Sequence, residues 1–466
     1  MSVAQKPNIL FVFADQHRAV STGCYGNQDV ITPNIDRLSE SGARALNAIS
    51  NSPLCCPYRA SLMTGRYAHT VGMPTNYQTL NFDGKFLAEA LRDAGYQTGY
   101  IGKFHLYFPT GDRSEDEKEN GFVPRDKRCG FLDYWRGIND GHQYYDWFYY
   151  EDDNPEPINS KRFQPDVQAE QAIDFIRTRG QGGSPWCLFL SFAPPHPPFA
   201  TPDEYIRHYP NAAIPKNVKD GAPYQYAQKN VAKYYGLIEA VDWNFGRILD
   251  ELRQQGLDDN TIVVYTADHG EMLGGQGYMG HKRWPFDESV RVPFVIRWPG
   301  HIPAGREIRK PLSAIDIMPT LLGLAGLSPQ HPTDGRSAAS AFLDGDESGM
   351  DEFSYCTMHY SYVPWPGWKA VRSERYLYAE AHGKPWLFYD RASDPLEMNN
   401  LIDNPDYADI QSSLKKTLER KMESARDSWD YRLDTGDYGD YKDSDAPKVK
   451  DNYLGYPWPG MPNKLA

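Results

Sequence analysis

The six cysteines of this 466-residue chain are scattered, and none of them shows the paired spacing that is typical of a zinc site. This distribution favours reduced thiols over a disulfide framework. No apolar run approaches the roughly 20 residues that a membrane-spanning helix needs, so we expect no membrane segment. The first residues, Met1–Pro7, lack the apolar stretch of a signal peptide. We expect a cytoplasmic protein if that start is native, and a periplasmic or secreted one if a signal peptide was removed.

Positive charge is also scarce, with 49 Lys and Arg against 62 Asp and Glu and a net charge of −13. That balance argues against a nucleic-acid partner. An anionic substrate would then require lysine, arginine, histidine or a metal concentrated in one place. The length is sufficient for one large domain and a smaller one. Because the composition changes near residue 345, we predict domains at 1–345 and 346–466.

One stretch, Leu54–Arg66, combines two cysteines with the signals of a helix start and end. Pro57 suits the first position of a helix, and Gly65 can end that helix. Cys55 would then lie at or just before the helix N-terminus, with Arg59 one turn later on nearly the same face. The helix dipole and the cation would both favour a thiolate or a bound anion there. The alternative for a single cysteine is an ordinary buried or disulfide-bonded residue.

Four apolar runs are predicted to be strands, and polar residues follow each of them. The runs are Asn8–Ala14, Gln97–Gly102, Trp186–Phe192 and Thr261–Ala267. The residues that follow are Asp15 and Gln16, Lys103 and His105, His196, and Asp268 and His269. Because open α/β sheets bind ligands at the carboxyl ends of their strands, one anion-processing site would explain all of them together. Taken singly, Asp15 could cap a helix and Lys103 could be a solvated lysine.

The phrase Cys-x-Pro-x-Arg, followed by Ala-Ser-Leu-Met-Thr-Gly-Arg, resembles the signature of the type I sulfatases, a family of the alkaline phosphatase superfamily. The phrases at 102–105, 268–269, 282 and 287–293 resemble the same family. In that family the first cysteine is oxidised to formylglycine, whose hydrate is the nucleophile. By alignment that cysteine is Cys55 and not Cys56. Tyr58 stands where the family usually has a small residue, but Cys55, Pro57 and Arg59 are intact, so we expect modification by a formylglycine-generating enzyme.

The resemblance implies a large, mostly parallel α/β sheet between helices, with a smaller C-terminal antiparallel sheet. It also implies a metal ion, usually Ca²⁺ in the family, with Mn²⁺ open because imidazole is a poor ligand for a hard cation. The implied metal ligands are Asp15, Gln16, the modified Cys55, Asp268 and His269. The other implied catalytic residues are Arg59, Lys103, His105, His196 and Lys282.

The substrate expected from the resemblance is a sulfate ester of a small molecule or an oligosaccharide. The segment that contains His359, Trp365 and Trp368 combines aromatic rings with polar groups, which suits stacking on a sugar. We therefore predict that these three residues contribute to a sugar site. The alternative is that these aromatic residues form the core of the smaller domain.

Two other functions stay open at this point. One is hydrolysis of phosphonate monoesters or phosphate diesters, a sister activity in the same superfamily. The other is catalytically silent binding of sulfated glycans. Residues 109–160 show no clear period, and we interpret them as a loop or insertion beside the substrate cleft. The sequence does not determine the oligomeric state.

Overall fold

A ten-stranded mixed sheet forms the centre of the large domain. The computed structural model describes residues 6–109, 121–180, 182–278, 280–359, 367–381 and 383–429. The strands are β1 Asn8–Asp15, β2 Ala43–Ala45, β3 Ala48–Ile49, β4 Gln97–Lys103, β5 Tyr134–Ile138, β6 Trp147–Glu151, β7 Ile158–Ser160, β8 Trp186–Pro195, β9 Thr261–Ala267, β10 Arg291–Val292, β11 Phe294–Arg297, β12 Arg306–Ile308, β13 Leu312–Ser313, β14 Ser354–Met358, β15 Trp368–Arg372, β16 Tyr376–Ala381 and β17 Lys384–Asp390.

Ten α-helices lie among the described residues. They are α1 Pro33–Ser41, α2 Cys55–Thr64, α3 Leu87–Asp93, α4 Gln164–Arg179, α5 Asp203–Ile206, α6 Ala222–Gln254, α7 Asp287–Val290, α8 Ala314–Leu324, α9 Ala339–Asp344 and α10 Ala408–Ser424. None of them is both long and apolar enough to cross a membrane, as judged over the part of the chain that the structure describes.

The large sheet has the strand order β12-β2-β11-β9-β1-β8-β4-β5-β6-β7. Strands β9, β1, β8, β4 and β5 are parallel to one another, and β11 runs antiparallel to β9. All eight residues of β1 are buried, as expected for a strand covered on both faces. Alternation places Ile9, Phe11 and Phe13 in the core with α2, α3 and α8, whereas Leu10 and Val12 pack with α1, α4 and α6. The predicted fold class is confirmed.

The four predicted strands are present, with small differences at their ends. β9 has the predicted bounds, whereas β8 extends past Phe192 to Pro195. The interpretation of residues 109–160 as a loop or insertion is wrong for the described part of that region. It contains β5, β6 and β7, and β5 joins the large sheet beside β4. These strands have only three to five residues, too few for a hydrophobic period to stand out.

The smaller C-terminal sheet, β14-β15-β16-β17, is antiparallel, and α10 packs on it. Its other face packs on the large domain through Leu54, Trp284 and Phe286. Buried ion pairs cross the same boundary, since Arg372 and Arg391 both contact Asp287 and Glu397. The predicted domain boundary at residue 345 falls between α9 and β14.

The prediction of Trp368 as a sugar-stacking residue is wrong. Its side chain lies in the core between the two sheets, the residue is only 2% exposed, and its indole N–H donates to the carbonyl oxygen of Arg283 at 2.7 Å. His359 is similarly enclosed, because its side chain is 3% exposed and its Nε2 lies 2.9 Å from Asp427 Oδ2. Trp365 lies outside the described residues. For Trp368, the alternative that the aromatic residues form the core of the smaller domain is therefore the correct one, since burial of an indole from water is favourable.

We predict that Trp368→Ala destabilises the fold by about 3–5 kcal/mol, because it removes a buried indole and leaves a cavity. The free energy of unfolding from denaturant titration measures this loss. Trp243→Ala is the matched control, since Trp243 is 59% exposed on α6 and its removal should cost less than about 0.5 kcal/mol. Equal stability of the two variants would contradict the assignment of Trp368 to the core.

Candidate active site

The carboxyl ends of β9, β1, β8 and β4 lie side by side in the sheet. Because these strands are parallel, the polar residues that follow them meet at one edge. Helix α2 points its N-terminus at the same place, with Leu54 as the N-cap and Cys55 as the first helical residue. Gly65, at φ 64°, ends this helix as predicted. The structure thus brings these strand ends together at one edge, and the roles of the residues there stay a prediction.

Three groups surround the Cys55 sulfur. Its Sγ lies 3.3 Å from His269 Nε2, 3.6 Å from Lys282 Nζ and 3.7 Å from Asp15 Oδ1. Burial, followed by the Asp15 charge, raises the pKa of the Cys55 thiol. Lys103 and Lys282 act in the opposite direction and lower that pKa.

In Asp15 and Asp268, the two carboxylates of the site, the two oxygens have different partners. Asp15 Oδ2 accepts from Lys103 Nζ at 2.7 Å and from Arg59 at 3.4 Å, and Asp268 Oδ2 accepts from Arg59 at 3.1 Å. Each Oδ1 instead faces His269 Nε2, at 3.6 Å for Asp15 and 3.4 Å for Asp268. Burial alone would raise the pKa of Asp15, but Lys103 and the other cationic groups hold it well below its ordinary value. Asp15 is therefore ionised.

This arrangement fits a divalent cation. His269 donates its Nδ1 proton to the Gly270 carbonyl oxygen at 3.1 Å, so its Nε2 carries the lone pair. Burial lowers the pKa of His269 to about 4, which keeps the ring neutral. The Nε2 lone pair lies near one oxygen of each carboxylate, and such a set of nitrogen and oxygen donors suits a divalent cation. Ligand atoms of Asp15, Cys55, Asp268 and His269 all lie within 4.8 Å of one another, close enough for one ion.

Gln16 lies beside this group, in a left-handed conformation with φ 71°. Its Oε1 accepts from Lys282 Nζ at 2.7 Å, and its Nε2 donates to the buried carboxylate of Glu271. Glu271 thereby orients the Gln16 amide, with its oxygen directed to Lys282. Gln16 as a metal ligand stays a prediction.

Two lysines and Arg59 surround the site with positive charge. Arg59 is buried and donates to Ser191 Oγ at 2.9 Å and to the carbonyl oxygen of Lys103. Lys282 Nζ lies 2.9 Å from His196 Nε2, and His196 Nδ1 lies 2.6 Å from the carbonyl oxygen of Pro197. A lysine ammonium can only donate a hydrogen bond, and a carbonyl oxygen can only accept one. His196 is therefore protonated on Nδ1 and accepts on Nε2.

His105 lies just beyond the strand that carries Lys103. Strand β4 ends at Lys103, and His105 has a φ of 63°, so the side-chain alternation of a strand does not extend to it. His105 Nε2 lies 3.4 Å from Asp140 Oδ1, and its ring packs edge-on against Tyr77 and Phe108. Burial, followed by the Lys103 charge, lowers the pKa of His105 well below its ordinary value. It is therefore a neutral base.

Sequence reasoning missed four residues that the structure brings to this site: Asp140, His142, Ser191 and Glu271. Asp140 and His142 follow β5, in the region that we interpreted as a loop. Had β5 been recognised as a strand beside β4, its carboxyl end would have pointed to them. Ser191 is an internal strand residue, and no sequence signal distinguishes it from other buried serines.

Comparison with known proteins decides the family. The sulfatase profile matches residues 7–327, and the profile "N-sulphoglucosamine sulphohydrolase, C-terminal" matches residues 274–424. The chain belongs to the sulfatase family. A sulfatase of Formosa agariphila, named as ulvan-active, is 31% identical over 446 residues, which cover 93% of this chain and 85% of that protein. Sulfuric ester hydrolysis is thus the reaction class of this chain.

Solved sulfatase structures share the fold over most of their length. One from Bacteroides fragilis, named for the sulfatase yidJ, is 28% identical with a TM-score of 0.83, covering 92% of this chain and 98% of that one. Another, solved in complex with its substrate D-glucosamine-2-N,6-O-disulfate, is 25% identical with a TM-score of 0.78, covering 90% of this chain and 98% of that one. The C-terminal sheet is thus part of the shared fold.

We predict that Cys55→Ala abolishes turnover, whereas Cys56→Ala retains substantial activity. Only the Cys55 sulfur faces the metal-binding group and Lys282, while Cys56 lies in the core with α3 and α8. Steady-state kinetics on any accepted sulfate ester, with circular dichroism to check folding, test this. Equal loss in two folded variants would contradict the assignment.

We predict that Asp268→Ala removes the metal ion and nearly all activity, because it deletes one of the two carboxylates of the site. Metal content of the purified variant, measured by mass spectrometry, decides this independently of turnover. Asp250→Ala is the control, since Asp250 is an exposed partner of Arg253 on α6. Full metal occupancy in Asp268→Ala would mean that this carboxylate only positions Arg59 and the backbone of Gln16 and His269.

Proposed function

We propose that this sulfatase hydrolyses sulfate esters of saccharides, with Cys55 converted to formylglycine as the nucleophile. The observation that supports this most is the placement of Cys55 at the N-terminus of α2, within 3.7 Å of Lys282, His269 and Asp15. Formation of formylglycine requires a maturation enzyme as a partner. The intact Cys55, Pro57 and Arg59 pattern supports recognition by such an enzyme.

We propose Ca²⁺ as the bound metal, held by Asp15, Gln16, the modified Cys55, Asp268 and His269, with Mn²⁺ as the alternative. When bound, a divalent cation polarises the nucleophile and a sulfate oxygen. The carboxylate oxygens suit Ca²⁺, whereas the His269 imidazole suits Mn²⁺ better. Metal analysis of the natively expressed protein distinguishes the two.

The buried cations would bind the transferring sulfate. Arg59, Lys103 and Lys282 lie within reach of the Cys55 position, and they are almost fully shielded from water. Charges act more strongly in such a low-dielectric site than in water, so they can stabilise the negative charge that develops on the sulfate and the leaving oxygen. Lys282 already shares a hydrogen bond with His196 Nε2, so this pair is suited to protonate the leaving oxygen.

His105 is the proposed proton acceptor in the step that restores the nucleophile. Its neutral state leaves one ring nitrogen able to accept a proton, and Asp140 would stabilise the charge that results.

A saccharide substrate is supported by the similarity to the ulvan-active sulfatase and to the enzyme solved with a glucosamine disulfate. The buried Trp368 and His359 do not contribute an open stacking surface, so the sugar contacts must come from other groups around the site. Small aryl sulfates forgo this remote binding energy and should be poorer substrates.

We predict formylglycine at position 55 and higher kcat/KM on sulfated saccharides than on an aryl sulfate or a phosphonate monoester. Peptide mass spectrometry of the protein coexpressed with a formylglycine-generating enzyme tests the first part, with Cys56 as the internal control. A substrate panel tests the second. Unmodified Cys55 together with glycan binding would favour a silent binding protein, and preference for the phosphonate would favour the sister activity.

A further inference from the structure

His142 lies between two catalytic groups that come from different strands. Its Nε2 is 2.7 Å from Lys103 Nζ, at the end of β4. Its ring stacks on that of His196, beyond the end of β8, with 3.7 Å between ring centroids and 20° between ring planes. The side chain is 16% exposed, so it borders the open side of the site.

The hydrogen-bond partner of His142 determines which of its two ring nitrogens carries the proton. A lysine ammonium has only protons to offer, so His142 must accept on Nε2 and carry its own proton on Nδ1. His196 has the same tautomer, because its Nε2 accepts from Lys282. Two neutral imidazoles can stack at van der Waals distance, whereas two protonated rings would repel each other. The pair is therefore built from neutral rings.

The orientation of Lys103 depends on His142. Its ammonium donates one hydrogen bond to Asp15 Oδ2 at 2.7 Å and a second to His142 Nε2, also at 2.7 Å. Two fixed partners define the direction of the third N–H bond, which is left for a sulfate oxygen. Without His142, the flexible four-carbon side chain could turn away or move closer to Asp15.

His196 is likewise constrained from several sides. Its Nδ1 is bound to the Pro197 carbonyl oxygen, its Nε2 to Lys282, and Tyr144 donates a hydrogen bond to its backbone oxygen. The His142 ring covers one face of the imidazole. That cover prevents the ring from tilting out of the plane in which it meets Lys282.

We propose that His142 is a positioning residue of this sulfatase, which orients Lys103 through a hydrogen bond and His196 through ring stacking. It thereby couples Lys103, which would bind the sulfate, to His196, whose partner Lys282 would give a proton to the leaving oxygen. The proposal rests on the sulfate ester hydrolysis described above, and it adds a residue from the β5 end to the strand ends already assigned.

The first test is kinetic and uses aryl sulfates with leaving groups of graded pKa. His142→Ala should lower kcat at least tenfold while KM changes less than threefold, since positioning acts on the reacting groups. The loss should grow with the pKa of the leaving group, because poor leaving groups depend most on a well-placed proton donor. His142→Gln, whose side-chain oxygen can still accept from Lys103, should recover part of kcat.

His208→Ala is the matched control. His208 is a half-exposed histidine paired with Glu239, and its removal should leave kcat and KM unchanged. A folded His142→Ala variant with kcat within twofold of the wild type would overturn the proposal. So would a rise in KM alone, which would make His142 a substrate contact.

The second test does not need turnover. Histidine ring carbons are labelled with ¹³C, and the His196 signal is assigned by its loss in His196→Gln. Because a stacked ring shifts the resonances of its neighbour, His142→Ala should move the His196 signal, and His208→Ala should not. An unmoved His196 signal overturns the proposal. A wild-type protein inactive on every sulfate ester would instead contradict the proposed function, and the spectrum would still decide the role of His142.

Discussion

The carboxylate of Asp15 is the constraint on which the rest of the site depends. It is fully buried at the end of the central strand β1, and one of its oxygens accepts from Lys103 and Arg59 while the other faces Cys55 and His269. A buried carboxylate is tolerated only when it is paired and hydrogen-bonded. The residues that pair with it are the same ones that we propose to act on the substrate, so one set of contacts would serve both the stability of the site and its chemistry.

Arg59 is a second buried residue of the site, and it pairs with both carboxylates. It lies one helical turn after Cys55, and its guanidinium joins Asp15 to Asp268 across the two neighbouring strands β1 and β9. Removing one partner of such a buried network costs about 3–5 kcal/mol, because it leaves an uncompensated charge.

The C-terminal sheet supports the site from outside the large domain. Its Trp368 bonds to the backbone of Arg283, the residue after Lys282, and Arg372 joins Asp287 to Glu397. These contacts tie the segment of the large domain that carries Lys282 to the smaller sheet. His281 and Arg283, which flank Lys282, both have positive φ, a strained conformation that needs such support. The smaller sheet thus contacts the segment that carries Lys282, and its Trp368 lies in the core between the two sheets.

The sequence by itself determined the features that depend on local chain properties. Apolar runs marked β1, β4, β8 and β9, and the spacing from Cys55 to Arg59 placed both residues on one face of α2. Since parallel strands end at the same edge, the sequence also predicted that Asp15, His196 and Asp268 would meet.

Only the tertiary structure decided which groups touch. The stacking of His142 on His196 joins the ends of β5 and β8, and the turn of His105 toward Asp140 follows a break in strand alternation. Likewise, Trp368 is a core residue because another sheet covers it. Contacts of this kind depend on the packing of elements far apart in the chain, and the free energy of that packing is not encoded in any single stretch of sequence.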